Sequence, residues 1–175
     1  LGFALPDENA TTVSNWETLL ESAELTDEDL VLDGGEGADT MVGGVGDNTY
    51  YVDHVGDVVR QVAGAGSAKV IAAIDYSLGE HVGELVVAEE AASGTKGLGN
   101  ALDNILRAND KGSELHGVAG NNQLLGGLGH DKLIGGTGKD KLKGGSGDDY
   151  VDAGAGDDEI VGGDGAGDDT YLGGD

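Results

Sequence analysis

Cysteine is absent from the 175 residues, so neither a disulfide framework nor a thiolate metal site can form. Phe, Trp, Met and Pro occur once each and aromatics make up 4%, which excludes a large core of interlocking rings. Long apolar runs are missing too. The longest aliphatic run, VIAAI at 70–74, is far too short to cross a bilayer as a helix. Basic side chains are scarce: nine Lys and Arg face 34 Asp and Glu, for a formal net charge of −25, and residues 1–33 carry none of the nine. Such a chain repels nucleic acid, anionic membranes and itself. Nucleic acid is therefore not an expected partner, and compaction calls for cations. On charge alone, an acidic disordered tail is the competing reading.

Glycine is what the chain has in quantity, 35 residues of it. So much usually signals disorder, but here it falls at regular places. From residue 99 a frame of nine runs as GNALDNILR, ANDKGSELH, GVAGNNQLL, GGLGHDKLI, GGTGKDKLK, GGSGDDYVD and AGAGDDEIV. The eighth places are Leu106, Leu115, Leu124, Leu133, Leu142, Val151 and Ile160; the sixth are Asn104, Ser113, Asn122, Asp131, Asp140, Asp149 and Asp158. A last copy, GGDGAGDDTYL, has two extra residues and supplies Asp169 and Tyr171. A shorter block lies near the front, GGEGADTMV, GGVGDNTYY and the degenerate VDHVGDVVR, with Asp39, Asn48 and Asp57 at its sixth places. The two blocks are out of phase by two residues, so something irregular joins them.

Four parts follow from this pattern. Residues 1–33 form an N-terminal cap, 34–60 the first repeat block, 61–98 longer coils joining the blocks, and 99–175 the second block. In 61–98, Ile74, Tyr76 and Leu78 alternate with polar residues, as do Leu85 and Val87, which predicts half-buried strands; AGAGSAK and AASGTKG read as turns. In SNWETLLESAEL, Ser14 and Glu17 make a capping box, and Trp16, Leu19, Leu20 and Ala23 share one helical face. A short helix covering the end of the repeat stack is expected there. Opening at Leu1 without a basic segment and stopping at YLGGD within a repeat, the chain is expected to be a piece of a longer protein.

Gly at places one, two and four permits a tight turn, and such a turn aims carbonyl oxygens inward beside the sixth-place Asp. Hard oxygen ligands without nitrogen or sulfur favour Ca²⁺, which accepts about six to eight of them. The remaining three residues read as a strand whose middle side chain points inward. Two units then complete a coil, and units n and n+2 stack at roughly 4.8 Å. That stacking pairs Asp131 with Asp149, Asp140 with Asp158, Asp149 with Asp169, and Asp39 with Asp57. The fold class is therefore all-β, a parallel β-roll or β-solenoid of nonapeptide repeats with a short capping α-helix.

The nonapeptide GGxGxDxUx, with U bulky and apolar, resembles the RTX (haemolysin-type calcium-binding) repeat over about 34–60 and 99–172. The resemblance implies a calcium-binding module of a larger secreted or cell-surface protein of a Gram-negative bacterium. It implies export by type I secretion machinery, folding outside the cell on about four to six Ca²⁺ ions, and contact with neighbouring domains of the parent. As family ligands it implies the sixth-place side chains with the carbonyls at places two and four. In the front block these are Gly35, Gly37, Asp39, Gly44, Gly46, Asn48 and Asp57. In the second they are Asn122, Gly127, Gly129, Asp131, Gly136, Gly138, Asp140, Gly145, Gly147, Asp149, Gly154, Gly156, Asp158 and Asp169.

Catalysis is not expected. His54, His81, His116 and His130 share no metal-ligand spacing, no HExxH, nucleophile elbow or phosphate loop occurs, and the paired acids recur with the repeat. The basic cluster Lys132, Lys139, Lys141 and Lys143 reads as a solvated face, or alternatively as a patch for a polysaccharide in an adhesin. The module is expected to be a monomer.

Overall fold

The fold is given by a computed structural model, which describes residues 3–5, 29–64, 66–163 and 167–174. One sheet has eight strands in the spatial order β2 (Val31–Asp33), β4 (Thr49–Val52), β6 (Lys69–Ala72), β8 (Glu84–Val87), β10 (Ile105–Arg107), β12 (Gln123–Gly127), β14 (Lys141–Gly145) and β16 (Glu159–Val161). A second has six: β7 (Tyr76–Ser77), β9 (Thr95–Leu98), β11 (Ser113–His116), β13 (Lys132–Thr137), β15 (Tyr150–Ala155) and β17 (Thr170–Leu172). A third joins β1 (Phe3–Leu5), β3 (Thr40–Val42) and β5 (Val58–Arg60). All pairings are parallel except β1 with β3.

Successive strands from β2 onward alternate between the eight-stranded sheet and the other two, so the chain winds as an all-β parallel solenoid of eight coils. Within the repeats Leu32 pairs with Tyr50, Leu106 with Leu124 and Leu115 with Leu133, a coil of 18 residues, or two nonapeptides. The joining segment keeps the sheet but not the period. Tyr50 pairs with Val70, Val70 with Leu85 and Leu85 with Leu106, so these coils take 20, 15 and 21 residues. Together they exceed three regular coils by two residues, which accounts for the phase shift between the blocks.

The core is a file of eighth-place side chains. Met41, Tyr50, Leu106, Leu115, Leu124, Leu133, Leu142 and Val151 are fully buried, and Val70 and Leu85 continue the file through the joining coils. Each such aliphatic contributes about 1.5–3 kcal/mol. In the joining coils Val52, Ala72 and Val87 are buried beside this file, two residues further along their strands.

Three details depart from the sequence reading. Several strands are longer than three residues, because β12, β13 and β14 run on into the Gly pair of the next turn and β15 into Ala153 and Gly154. AASGTKG is a turn only in its first part, since Thr95–Leu98 is β9. Tyr76 and Leu78 belong to a two-residue strand and its end, not to a longer one. The helix expected over 14–23 lies outside the described residues; no helix occurs among those that are described.

Candidate metal centre

The sixth-place carboxylates from Asp57 onward are each held through one oxygen by the neighbouring coil. The backbone N–H of Asp131 donates to Asp149 Oδ1 at 2.9 Å, that of Asp140 to Asp158 Oδ1 at 2.8 Å, and that of Asp149 to Asp169 Oδ1 at 3.0 Å. In the front block the N–H of Asp39 donates to Asp57 Oδ1 at 3.1 Å. These are the four pairs that a two-unit coil dictates. The hydrogen bond arises because parallel stacking places each sixth residue over the sixth residue of the coil before it.

The second oxygen has a different fate. Oδ2 of Asp131, Asp140, Asp149 and Asp158 is shut off from solvent and accepts no hydrogen bond. Asp131, Asp140 and Asp149 are only 3%, 1% and 2% exposed. Burial raises the Asp131 carboxyl from 3.8 to about 6; the Ser113 N–H opposes the rise and the Asp149 charge adds to it. Burial raises Asp140 and Asp149 in the same direction, against the N–H groups of Asn122 and Asp131. A buried anionic oxygen with no partner costs several kcal/mol. The arrangement therefore calls for a positive charge.

Backbone oxygens lie next to these carboxylates. Gly145 and Gly147 take φ of 110° and 119°, a region open to Gly and costly for other residues. A Cβ on either would collide with the carbonyl oxygen of Gly127 or Gly129 respectively. The carbonyls at places two and four of one turn thus sit directly against the next turn. Among the described residues, no group of three or more His, Asp or Glu side chains converges to hold a metal. An ion here must take most of its oxygens from the backbone, and the donor set is all oxygen, as Ca²⁺ prefers.

Other candidate positions are occupied differently. Asp57 Oδ2 accepts from the N–H groups of Asp53 and His54, both at 3.1 Å. Asp169 Oδ2 accepts from the Tyr171 hydroxyl at 2.8 Å. Asn48 donates from Nδ2 to the carbonyls of Gly44 and Gly46 at 3.1 and 2.9 Å, and Asn122 to those of Ala119 and Gly120 at 3.2 Å each. Gly35 and Gly37 take positive φ before the buried Asp39, as do Gly136 and Gly138 before Asp140, and Gly154 and Gly156 before Asp158.

Three amides escaped the sequence reading. Gln61 bonds to Asn48, Tyr50 and the Gly44 carbonyl. Asn100 donates to the carbonyls of Gly79 and Val82, and Asn109 to those of Ala88 and Ala91. Asn100 and Asn109 stand at place two of repeats that lack the sixth-place Asp, a substitution visible in the sequence.

The four lysines do not make one patch. Lys132 is in β13 of the six-stranded sheet, whereas Lys141 and Lys143 are in β14 of the eight-stranded one. Lys132 and Lys96 both pair with Glu114, at 2.8 and 2.9 Å, and Lys141 pairs with Glu159 at 3.2 Å. With His116 also at 2.9 Å, these partners hold the Glu114 carboxyl down at about 2.

A family model for the RTX calcium-binding nonapeptide repeat, in four copies, matches residues 31–52, 98–133 and 134–167, just over half of the chain. The chain belongs to the RTX calcium-binding repeat family. The matched residues of this RTX module include Asp131, Asp140, Asp149 and Asp158. They also include Asn48, Asn104 and Asn122, so the family pattern spans turns of both chemistries. No curated protein and no solved structure matches the RTX chain significantly.

Proposed function

We propose that this calcium-binding RTX module folds on Ca²⁺ outside the cell, and so supports export and stability of a larger secreted protein without catalysing a reaction. The partnerless Oδ2 atoms of Asp131, Asp140, Asp149 and Asp158 carry this reading. These aspartates belong to turns whose second- and fourth-place residues are Gly127 and Gly129, Gly136 and Gly138, Gly145 and Gly147, and Gly154 and Gly156 respectively. The carbonyls at those places, with the carboxylate, would hold the ion. Asp39 with Gly35 and Gly37 would form the corresponding turn of the front block. When bound, Ca²⁺ supplies two positive charges and the six to eight oxygen contacts that join successive turns.

Folding is then a metal-binding event. Ordering so many Gly residues costs more backbone entropy than usual, and the excess of 25 negative charges opposes compaction. Extracellular modules bind calcium at about 10⁻⁴–10⁻³ M, a range met outside a Gram-negative cell and not in its cytosol. A chain that stays open inside suits passage through type I secretion machinery, after which neighbouring domains of the parent gain a stable partner. Circular dichroism of the whole chain tests this, comparing chelator with about 10 mM Ca²⁺, set above that affinity range. A large gain of β signal on adding calcium is expected. Identical spectra, with no calcium retained on dialysis, would falsify the proposal.

A further inference from the structure

We infer that the turns closed by Asn48 and Asn122 take no ion, because in each the side-chain amide nitrogen stands where the aspartate turns leave an oxygen in need of a cation. This rests on the calcium reading above and divides its sites. At the sixth place, one side-chain atom is committed to a backbone N–H. Asn48 Oδ1 accepts from Leu30 at 3.2 Å and Asn122 Oδ1 from Asn104 at 3.0 Å, each 18 residues back. A donor can be met only by oxygen, so the orientation of the amide is fixed. Turning the group over would set NH₂ against N–H and carbonyl against carbonyl.

The other atom is then necessarily nitrogen, with two protons to give. Asn48 gives them toward the carbonyls at places two and four of its own turn, the oxygens that the family pattern assigns to calcium. Gln61 Nε2 adds a further donor to the Gly44 carbonyl at 3.2 Å. Asn122 gives its protons to places three and four. In an aspartate turn the same position is an oxygen facing oxygens, stable only with a cation between. In an asparagine turn it is a donor facing acceptors, complete as it stands. A Ca²⁺ ion entering there would meet N–H protons in place of a lone pair.

Counting bound calcium on the intact chain by equilibrium dialysis and metal analysis tests this, with each variant's fold checked by circular dichroism in calcium. Asn122→Asp opens the cradle and is expected to add one ion; Asn48→Asp does the same at the far end of the chain. Asp140→Asn seals a turn and is expected to remove one. A folded Asn122→Asp or Asn48→Asp protein with an unchanged count overturns the inference. Should neither aspartate variant fold, Asp140→Asn decides: one ion fewer supports it, an unchanged count overturns it. An unaltered chain that binds no calcium at all overturns the parent reading instead, so the two failures are told apart.

Discussion

Residues 126–174 and residues 61–125 wind on the same sheets and are closed by opposite chemistry. In the later coils the turns present Asp131, Asp140, Asp149 and Asp158, each with an oxygen that nothing in the protein satisfies. In the earlier coils the equivalent space holds amides. Asn100 reaches back one coil to Gly79 and Val82, and Asn109 to Ala88 and Ala91. Those neutral bridges join coil to coil, the task that falls to ions in the aspartate stack. The same backbone path therefore tolerates two kinds of rivet. One depends on the calcium in its surroundings and the other is carried by the sequence.

Removing calcium breaks this comparison open and has the largest expected effect. In chelator, the backbone amides of Asp131, Asp140 and Asp149, whose acceptors are carboxylates, are expected to lose protection from hydrogen exchange by roughly a hundredfold or more. Amides of β8 and β10, whose turns are closed by asparagine, are expected to keep most of theirs. Peptide-resolved exchange in chelator and in calcium reads the difference. Uniform loss along the whole chain would mean that the amide-closed coils have no stability of their own.

Acid offers a subtler way to blur the two regions. Burial raises Asp131 from 3.8 to about 6 and lifts Asp140 and Asp149 in the same direction. Without an ion, the folded state thus holds these protons more tightly than the unfolded one. The resulting stability is fully present below about 3.8 and is lost as pH rises through about 6. A protonated carboxyl also carries a donor, so it mimics the asparagine turns. Chelated protein is expected to gain β signal as pH falls from about 7 to about 5, while calcium affinity drops over the same window because protons compete for the ligands. Glu114 does not confuse the result: its carboxyl is held at about 2, so its contribution is complete above about 4.5 and lost only as pH falls through 2. A pH-independent spectrum in chelator would contradict this.

Much of the architecture was legible because it repeats. The eighth-place file from Leu106 to Val151, the two-unit coil and the Asp131–Asp149 pairing all follow from a period of nine, since parallel stacking reproduces one side-chain position at every coil. The joining coils were legible only as strands. Their lengths of 20, 15 and 21 residues obey no period, and a turn such as the one before β9 has no fixed composition. In the site, residue type located the carboxylates but not which oxygen each one uses. Asp57 stands at a sixth place as Asp149 does, yet its second oxygen is taken by Asp53 and His54. Such local capture depends on how a degenerate turn closes, which spacing alone does not express. Asn100 and Asn109 were visible at place two but acquire meaning only once the coil beneath them is in position.

The smallest expected effect concerns the border between the two regions, where Val118 stands at place two of its repeat. The later turns carry Gly there, at positive φ; Val118 is held at φ 74° all the same. For a β-branched residue this conformation is a true outlier, with a cost of order 1–3 kcal/mol. The Gly136 backbone of the next coil stacks directly on it, since a Cβ at Gly136 would strike the Val118 carbonyl, so the turn cannot relax without disturbing that contact. Val118 is 49% exposed, and its side chain returns little apolar burial for the strain. Val118→Gly should therefore stabilise the chain. The unfolded state gains roughly 0.5–1 kcal/mol of freedom from the added Gly, leaving a net gain of about 1 kcal/mol in urea unfolding at saturating calcium. The calcium count should not change, because Asn122 still closes the turn. A loss of stability in this variant would show that the side chain of Val118 contributes more to the border than its backbone costs.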